Sequence, residues 1–272
     1  MTVRQFYSQH HDRILEKRYW SPYWLRRYAH RRIYAGTLKY VEAGQTVLDA
    51  GCGEGVLSLL MARKGAVVTG IDISGPNISI AGQTAEPVAL GGQLTFLRGD
   101  AESLPFPDCS FDVVVSSHVL EHLPSFEKGL SEIRRVMRHR AIISLPTCLN
   151  PCAWCLLGGD VFWKVTRRSP FGMLLGLARV ISAWLRGEEG INEGYGGHRS
   201  LPHLWRFPGR ARDRIERAGF RIESFEAGPL IFPWLAEYVP AVRRMQSRLD
   251  RLAGRRFWRD LGYGSTAVCR RS

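Results

Sequence analysis

The stretch Val47-Leu-Asp-Ala-Gly-Cys-Gly-Glu-Gly55 constrains this chain more than any other. Apolar and small residues lead up to and flank Asp49, three glycines then alternate with other residues, and Val56-Leu-Ser-Leu-Leu60 opens a helical pattern. The order reads as strand, tight turn, helix. Such a turn lets a ligand lie against bare backbone, because glycine accepts left-handed conformations and a helix N-terminus offers unpaired N–H groups.

The pattern recurs downstream. Thr46–Ala50 and apolar runs at 66–71, 94–97, 111–116 and 141–145 read as strands, and 55–64, the segment from Ser74 onward, and 126–137 as helices between them. A helix at 208–218 and strands at 220–225 and 261–269 follow. This alternation predicts an α/β fold with a doubly wound, mostly parallel, seven-stranded Rossmann-like sheet covered on both faces. Its ligand belongs beyond the carboxyl ends of the strands.

Two segments lie outside that rhythm. Residues 4–19 read as one helix, and Ser21-Pro22 as the cap of a second that runs to about Val41 before Gly44. Residues 147–207 are rich in Trp, Phe, Leu, Gly and Arg and show no clear strand. They read as a helical lid inserted after the fifth strand, with helices at about 151–158 and 160–186 and a glycine-rich loop at 187–197. Apolar positions 231, 235, 238, 242, 245, 249 and 252 suit two helices divided at Pro240. The expectation is a single domain: N-terminal helices 1–44, core 45–146, lid 147–207, and the rest of the core at 208–272.

The acids around the loop narrow the ligand. A dinucleotide fingerprint reads G-x-G-x-x-G, whereas Gly51-Cys-Gly-Glu-Gly55 reads G-x-G-x-G and follows an acid. Asp49 would repel a pyrophosphate and suits an ammonium or sulfonium. Asp72 ends the next strand, where a carboxylate can accept both ribose hydroxyls. Asp100-Ala101 follows the third, where an acid and a backbone N–H can read an adenine edge.

At these residues the chain resembles the class I S-adenosylmethionine-dependent methyltransferases, in the broad group with quinone, lipid and natural-product enzymes. The resemblance rests on residues 47–55, Gly70-Ile-Asp-Ile-Ser74, Gly99-Asp-Ala-Glu-Ser-Leu-Pro-Phe-Pro107, Ser110-Phe-Asp-Val-Val-Val115, Ser117-His-Val-Leu-Glu-His-Leu123 and Glu132-Ile-Arg-Arg-Val-Met137, in order across residues 45–146. It implies S-adenosyl-L-methionine as cofactor, with Asp49 and Gly51 facing its methionine moiety and Gly53 and Gly55 shaping the loop. It further implies Asp72 on the ribose with Ile73 beside it, Asp100 and Ala101 at the adenine, and Ser117 near the amino-acid part. One departure stands out: such enzymes usually carry a Pro-Gly-Gly-type loop before the fifth strand, and here Met137-Arg-His-Arg140 runs almost directly into Ala141-Ile-Ile.

Three other chemistries compete. Cys148-x3-Cys152-x2-Cys155 has the spacing that holds an iron–sulfur cluster in radical enzymes, although three buried apolar cysteines fit the same letters. Thr147-Cys148 resembles the nucleophile of RNA cytosine methyltransferases, but Ser117-His118 stands where that family has Pro-Cys. A non-catalytic cofactor-binding subunit would bind without turnover. The expectation is transfer to a small, hydrophobic acceptor at O or activated C, with no metal and with a small molecule rather than nucleic acid as the partner. His118 and His122 follow the fourth strand, where the acceptor should approach, and are the candidate bases; His198 comes from the lid. Trp154, Phe162, Trp163, Phe171, Trp184 and Trp205 make the lid suit an apolar acceptor.

Charge adds a surface. The net +13 sits at the two ends, since residues 1–40 and 241–272 each hold nine Lys/Arg against two Asp/Glu. Basic ends suggest peripheral contact with an anionic membrane, and the helix from Pro240 has an apolar face ringed by arginines. No run of about 18 apolar residues and no leader pattern is present, so the expected location is cytoplasmic.

Overall fold

Successive residues of a strand point to opposite faces, and in this chain both faces are apolar. Val47, Val113, Val115 and Ile142 pack on one side with Leu57 and Met61, while Leu48, Val114 and Ile143 pack on the other with Leu130, Ile133, Ala211 and Ile215. A sheet so patterned must be covered twice. The computed structural model, which describes residues 2–11, 13, 15–85, 93–195, 200–252, 255 and 258–272, shows that arrangement.

The sheet contains β1 (Thr46–Ala50), β2 (Val67–Asp72), β3 (Leu94–Arg98), β4 (Phe111–Ser117), β5 (Met137–Leu145), β8 (Phe220–Ala227) and β9 (Ser265–Arg271). Two short lid strands, β6 (Gly190–Asn192) and β7 (Leu204–Arg206), pair with each other. The large sheet is ordered β3-β2-β1-β4-β5-β9-β8. β1 to β5 are parallel, and β9 is antiparallel to both its neighbours. Helices α3 (Val56–Arg63), α4 (Gly75–Ala85), α5 (Phe126–Val136) and α8 (Pro208–Arg217) make the crossovers or flank the strands.

The abrupt passage into the fifth strand has a structural answer. α5 ends at Val136 and β5 begins at Met137, four residues before the expected start. The pairing of β4 with β5 slips between Phe111 and Val113 to take up the extra length. The last carbonyls of the helix need donors when no loop supplies them. Arg271 of β9 provides one, its Nη2 donating to the carbonyls of Arg134, Arg135 and Met137 at 2.8, 3.0 and 3.1 Å.

The N-terminal part differs from expectation. In place of one helix over 4–19 there is α1 (Val3–Gln9) and a π-helical turn at Leu15–Tyr19. Glu54 of the glycine loop draws the chain down between them: its carboxylate accepts the Leu15 N–H at 2.6 Å and pairs with His11. α2 (Trp24–Leu38) has Tyr23 rather than Ser21 at its N-cap position. The carboxylate of Glu237 accepts the N–H groups of Trp24 and Leu25 at 3.0 and 2.8 Å, so the cap comes from the other end of the chain. Arg32 pairs with Asp250 at 3.1 Å, and the two basic ends therefore adjoin. Near the chain's end the divided helices are α9 (Leu235–Tyr238) and α10 (Pro240–Leu249), split at Pro240 as the sequence suggested. On α10, Gln246 is fully buried and Val242 packs into the core, while Met245 is exposed.

In the lid, α6 (Pro151–Leu157) matches its expected span, but α7 is Phe171–Leu185 and not 160–186. Asp160 holds the preceding loop by accepting from the Thr166 hydroxyl at 2.7 Å and from Ser169. The hairpin β6–β7 corrects the expectation of a strandless lid; three residues a side are too few to show alternation. It joins the main sheet through Thr147 and Arg206.

Candidate active site

The carboxyl ends of β1, β2, β3 and β4 open into a cleft. Gly51, Gly53, Asp72, Ile73, Asp100, Ala101, Ser117, His118 and His122 all line it. Sequence positions spread over seventy residues thus meet because each directly follows or ends a strand.

Gly51 has φ +84°, and a Cβ there would come within 2.3 Å of Val119, so the loop presses against the segment after β4. Asp72 closes the other side: its carboxylate accepts the Gly53 N–H at 2.9 Å and the Ser74 N–H at 2.8 Å. A carboxylate has about four acceptor sites, so ribose hydroxyls could still be bound there. Asp100 accepts the Glu102 N–H at 2.8 Å and pairs with Arg4 of α1 at 2.8 Å.

Two expected residues sit elsewhere. Asp49 is 1% exposed and is not among the cleft-lining residues; it lies under the loop, accepting the Ser58 hydroxyl at 2.6 Å. Burial, with the nearby charge of Asp72, pushes its carboxyl up to about 6. Gly55 also lies off the cleft, against Phe96 and Ala81. The fit of this region to S-adenosylmethionine rests on that acidity. Two carboxylates repelling each other beside a bare-backbone loop favour a cationic ligand, which would relieve both.

The second half of the cleft was largely hidden from the sequence. Tyr7 of α1 and His10 just after it, His30 and Tyr34 of α2, and Tyr195 after β6 line it. Burial, with Arg18, His118 and Arg26 adding to it, holds the His30 imidazole well below its ordinary range, and neutral. His30, Ile33 and Tyr34 share one helix face, a signal that could have been read. None of the six lid aromatics lines the cleft: Phe162 and Trp205 are buried in the core, and Phe171 and Trp184 face outward.

Glu121 stands between the two candidate histidines, and the sequence alone gives it no role. It is 2% exposed, and neither carboxylate oxygen has a hydrogen-bond partner among the described residues. His118 Nδ1 lies 3.4 Å from Oε1 and His122 Nε2 3.9 Å away. Burial alone would raise the Glu121 carboxyl; the contact with His118 and the charges of His122, His118 and His203 outweigh it and bring it down to about 2. His122 is held at Nδ1 by the Tyr7 hydroxyl at 2.9 Å and the Pro202 carbonyl at 3.2 Å, and its ring stacks on His203 at 4.8 Å. Glu121, His122 and His203 bring donor atoms within 4.8 Å of one another, so this set could also hold a cation. His118 keeps Glu121 at one nitrogen, while its buried Nε2 has no partner among the described residues. His198 lies outside the described residues.

The competing cysteine chemistries find no support. Cys148, Cys152 and Cys155 are each 0% exposed, and they pack into two different apolar clusters. Burial pushes the Cys148 and Cys155 thiols up to about 12 and Cys152 well above its ordinary value, so none is a ready thiolate. They are not among the groups gathered at metal-ligand distance in the described residues. Thr147 is equally buried, which removes the Thr-Cys pair as an exposed nucleophile.

The strand order, with an acid-led glycine loop and acids at the next two strand ends, defines the class I S-adenosylmethionine-dependent methyltransferase fold. Residues 48–145, about a third of the chain, match the family described as a methyltransferase domain, which supports placing that stretch in this class. It is 40% identical over 106 residues to a sterol 24-C-methyltransferase of Gibberella zeae, covering 39% of this chain and 28% of that protein. Over 83 residues it is 45% identical to a ubiquinone biosynthesis O-methyltransferase of Psychrobacter arcticus, covering 30% of this chain and 32% of the relative. Each match thus spans about a third or less of the relative's length. Magnesium protoporphyrin IX methyltransferase of Synechocystis PCC 6803, solved with bound S-adenosylmethionine, shares the fold with TM-score 0.53 and 20% identity over 90% of this chain and 81% of that one.

Proposed function

We propose that this chain transfers the methyl group of S-adenosylmethionine to a small, hydrophobic acceptor, at an oxygen or activated carbon. The observation that carries the reading is the single cleft in which the acid-and-glycine half meets a half lined by histidine and tyrosine. The relatives' names, sterol and ubiquinone among them, support an apolar acceptor class of quinone, polyketide or lipid-linked type. When bound, the cofactor supplies an electrophilic methyl and a thioether leaving group.

The residues divide the remaining work. Asp72 and Asp100 hold the adenosine end, with Ile73, Ala101 and Ser117 beside them, and Gly51 and Gly53 let the methionine end lie on backbone. The charge of Asp49 reaches the sulfonium through the loop rather than by contact. Tyr7, Tyr34 and Tyr195 shape an aromatic wall that orients a flat or apolar acceptor and excludes water. His118 takes the acceptor's proton at Nε2, and Glu121 behind Nδ1 stabilises the imidazolium that results. His122, held by Tyr7 and stacked on His203, positions rather than exchanges protons.

Transfer of labelled methyl from S-adenosylmethionine into an apolar lipid and quinone extract tests the reading. Label should enter the extract with the parent protein. His118→Ala should lower kcat about 100-fold or more with little change in cofactor affinity. Glu121→Gln should lower kcat about tenfold with cofactor affinity and thermal midpoint little changed, a split that a purely structural role would not give. Cofactor binding with no transfer to any acceptor would instead fit a non-catalytic subunit.

A further inference from the structure

α7 is built the wrong way round for a helix surrounded by water. Its small residues Gly172, Gly176, Val180 and Ala183 face the lid, and its large apolar residues face out. The cause is the contact with α6, where backbones touch: a Cβ on Gly176 would lie 1.8 Å from the Trp154 carbonyl oxygen, and one on Gly158 would lie 1.7 Å from that of Gly172. Only side chains without bulk fit that seam. Phe171, Leu174, Leu175, Ile181, Trp184 and Leu185 are left exposed on one helix, Phe171 at 70% and Leu185 at 71%. A contiguous apolar face of this kind marks a site of contact with another apolar phase.

Its surroundings say which phase. Residues 160–186 carry five Lys/Arg and one Asp. Lys164, Arg167 and Arg168 are exposed in the loop leading into the helix. That loop adjoins the basic ends of the chain: Arg26 lies over the Trp163 ring at 4.2 Å, and the Val165 N–H donates to the Tyr238 hydroxyl at 3.3 Å. Tyr238, Leu235 and Val165 are themselves exposed, which extends the apolar face. A large apolar stripe with cations at its rim complements an anionic bilayer surface. Among the described residues no helix is long and apolar enough to cross a membrane, and α7, with 15 residues, measures only about 22 Å, short of the hydrocarbon core.

We propose that the outward face of α7 seats this protein on an anionic lipid bilayer, with the helix lying in the interface plane and Lys164, Arg167 and Arg168 at the headgroups. A second copy is the poorer occupant, because a symmetric contact would set the two cationic rims against each other. The inner side of α7 packs with Ile191 and Trp205 of the β6–β7 hairpin, whose neighbours Tyr195 and His203 reach the cleft or stack on His122. One side of the lid thus meets lipid while the other borders the site. The inference rests on the surface alone and stands independently of methyl transfer.

Flotation with phosphatidylglycerol/phosphatidylcholine vesicles tests it. The parent protein should float with these vesicles and far less with pure phosphatidylcholine. Leu174→Glu/Ile181→Glu/Leu185→Glu should lower partitioning at least about tenfold, since each exposed side chain contributes burial on docking. Lys164→Ser/Arg167→Ser should abolish the preference for anionic lipid. Cofactor binding and thermal midpoint should be unchanged in both, and Leu185→Glu alone gives a milder variant should the triple change disturb folding. Parent protein that stays with the pellet, or a folded triple variant that floats equally well, overturns the proposal. So does a solution dimer that the same substitutions dissolve.

Discussion

In the proposed function the Asp49 carboxyl serves binding at the expense of stability. It is buried beneath the loop, and its carboxyl is raised from 3.8 to about 6. An acid so raised contributes stability below its unfolded value, and that stability is lost as pH rises through about 6. At neutral pH the ionised form costs about 3 kcal/mol, so Asp49→Asn should stabilise the ligand-free protein by up to that amount in urea unfolding. The same change should weaken S-adenosylmethionine binding. In the parent protein affinity should strengthen as pH rises through about 6, a dependence that Asp49→Asn removes. The sequence made Asp49, Asp72 and Asp100 legible because strand ends are countable from hydrophobic period. It did not reveal that the Asp49 side chain turns under the loop, since that depends on Ser58, nine residues on in the first turn of α3. Glu121 stands out only in the structure, because its importance comes from burial among three imidazoles, one of them, His203, 82 residues away just before β7.

At the scale of elements, the parallel core was legible because each strand holds an apolar run, and the first three end at or just before an acid or glycine. The lid was read poorly. Its strands are three residues long, and the start of α7 is set by the loop that Asp160 organises, which carries no periodic signal. The seam between α6 and α7 gives a sharp test of the packing. Gly176→Ala forces a methyl against the Trp154 carbonyl and should cost about 3 kcal/mol or more. Gly82→Ala, in α4 with nothing within 4 Å of the added carbon, should instead stabilise by about 0.5–1 kcal/mol. Paired chemical unfolding curves distinguish the two. Equal effects would contradict the backbone contact. Arg271 makes a related point: the loop missing before β5 is replaced by a side chain from the last strand, a substitution that no local reading could find.

Across the whole molecule, residues far apart in sequence form two working surfaces. The N-terminal segment crosses the cofactor half of the cleft, anchored by Arg4 on Asp100 and Glu102, by His11 on Glu54, and by the Ser74 hydroxyl donating to the His10 carbonyl at 2.6 Å. The basic ends, separate in sequence, meet through Glu237 and Asp250. Both arrangements follow from the order of the sheet, which brings β1 to β4 to one edge of the cleft and leaves the chain ends to pack against one another. The central claim is that this edge binds S-adenosylmethionine. Isothermal titration of the full chain at pH 7.5 tests it most directly. The expected result is one cofactor bound per chain, weakened at least about tenfold by Asp72→Ala, whose carboxylate fixes the loop by accepting the Gly53 and Ser74 N–H groups and is the proposed ribose acceptor. Folded parent protein that gives no binding heat and no thermal shift with the cofactor, or a folded Asp72→Ala protein that binds as tightly as the parent, would contradict it.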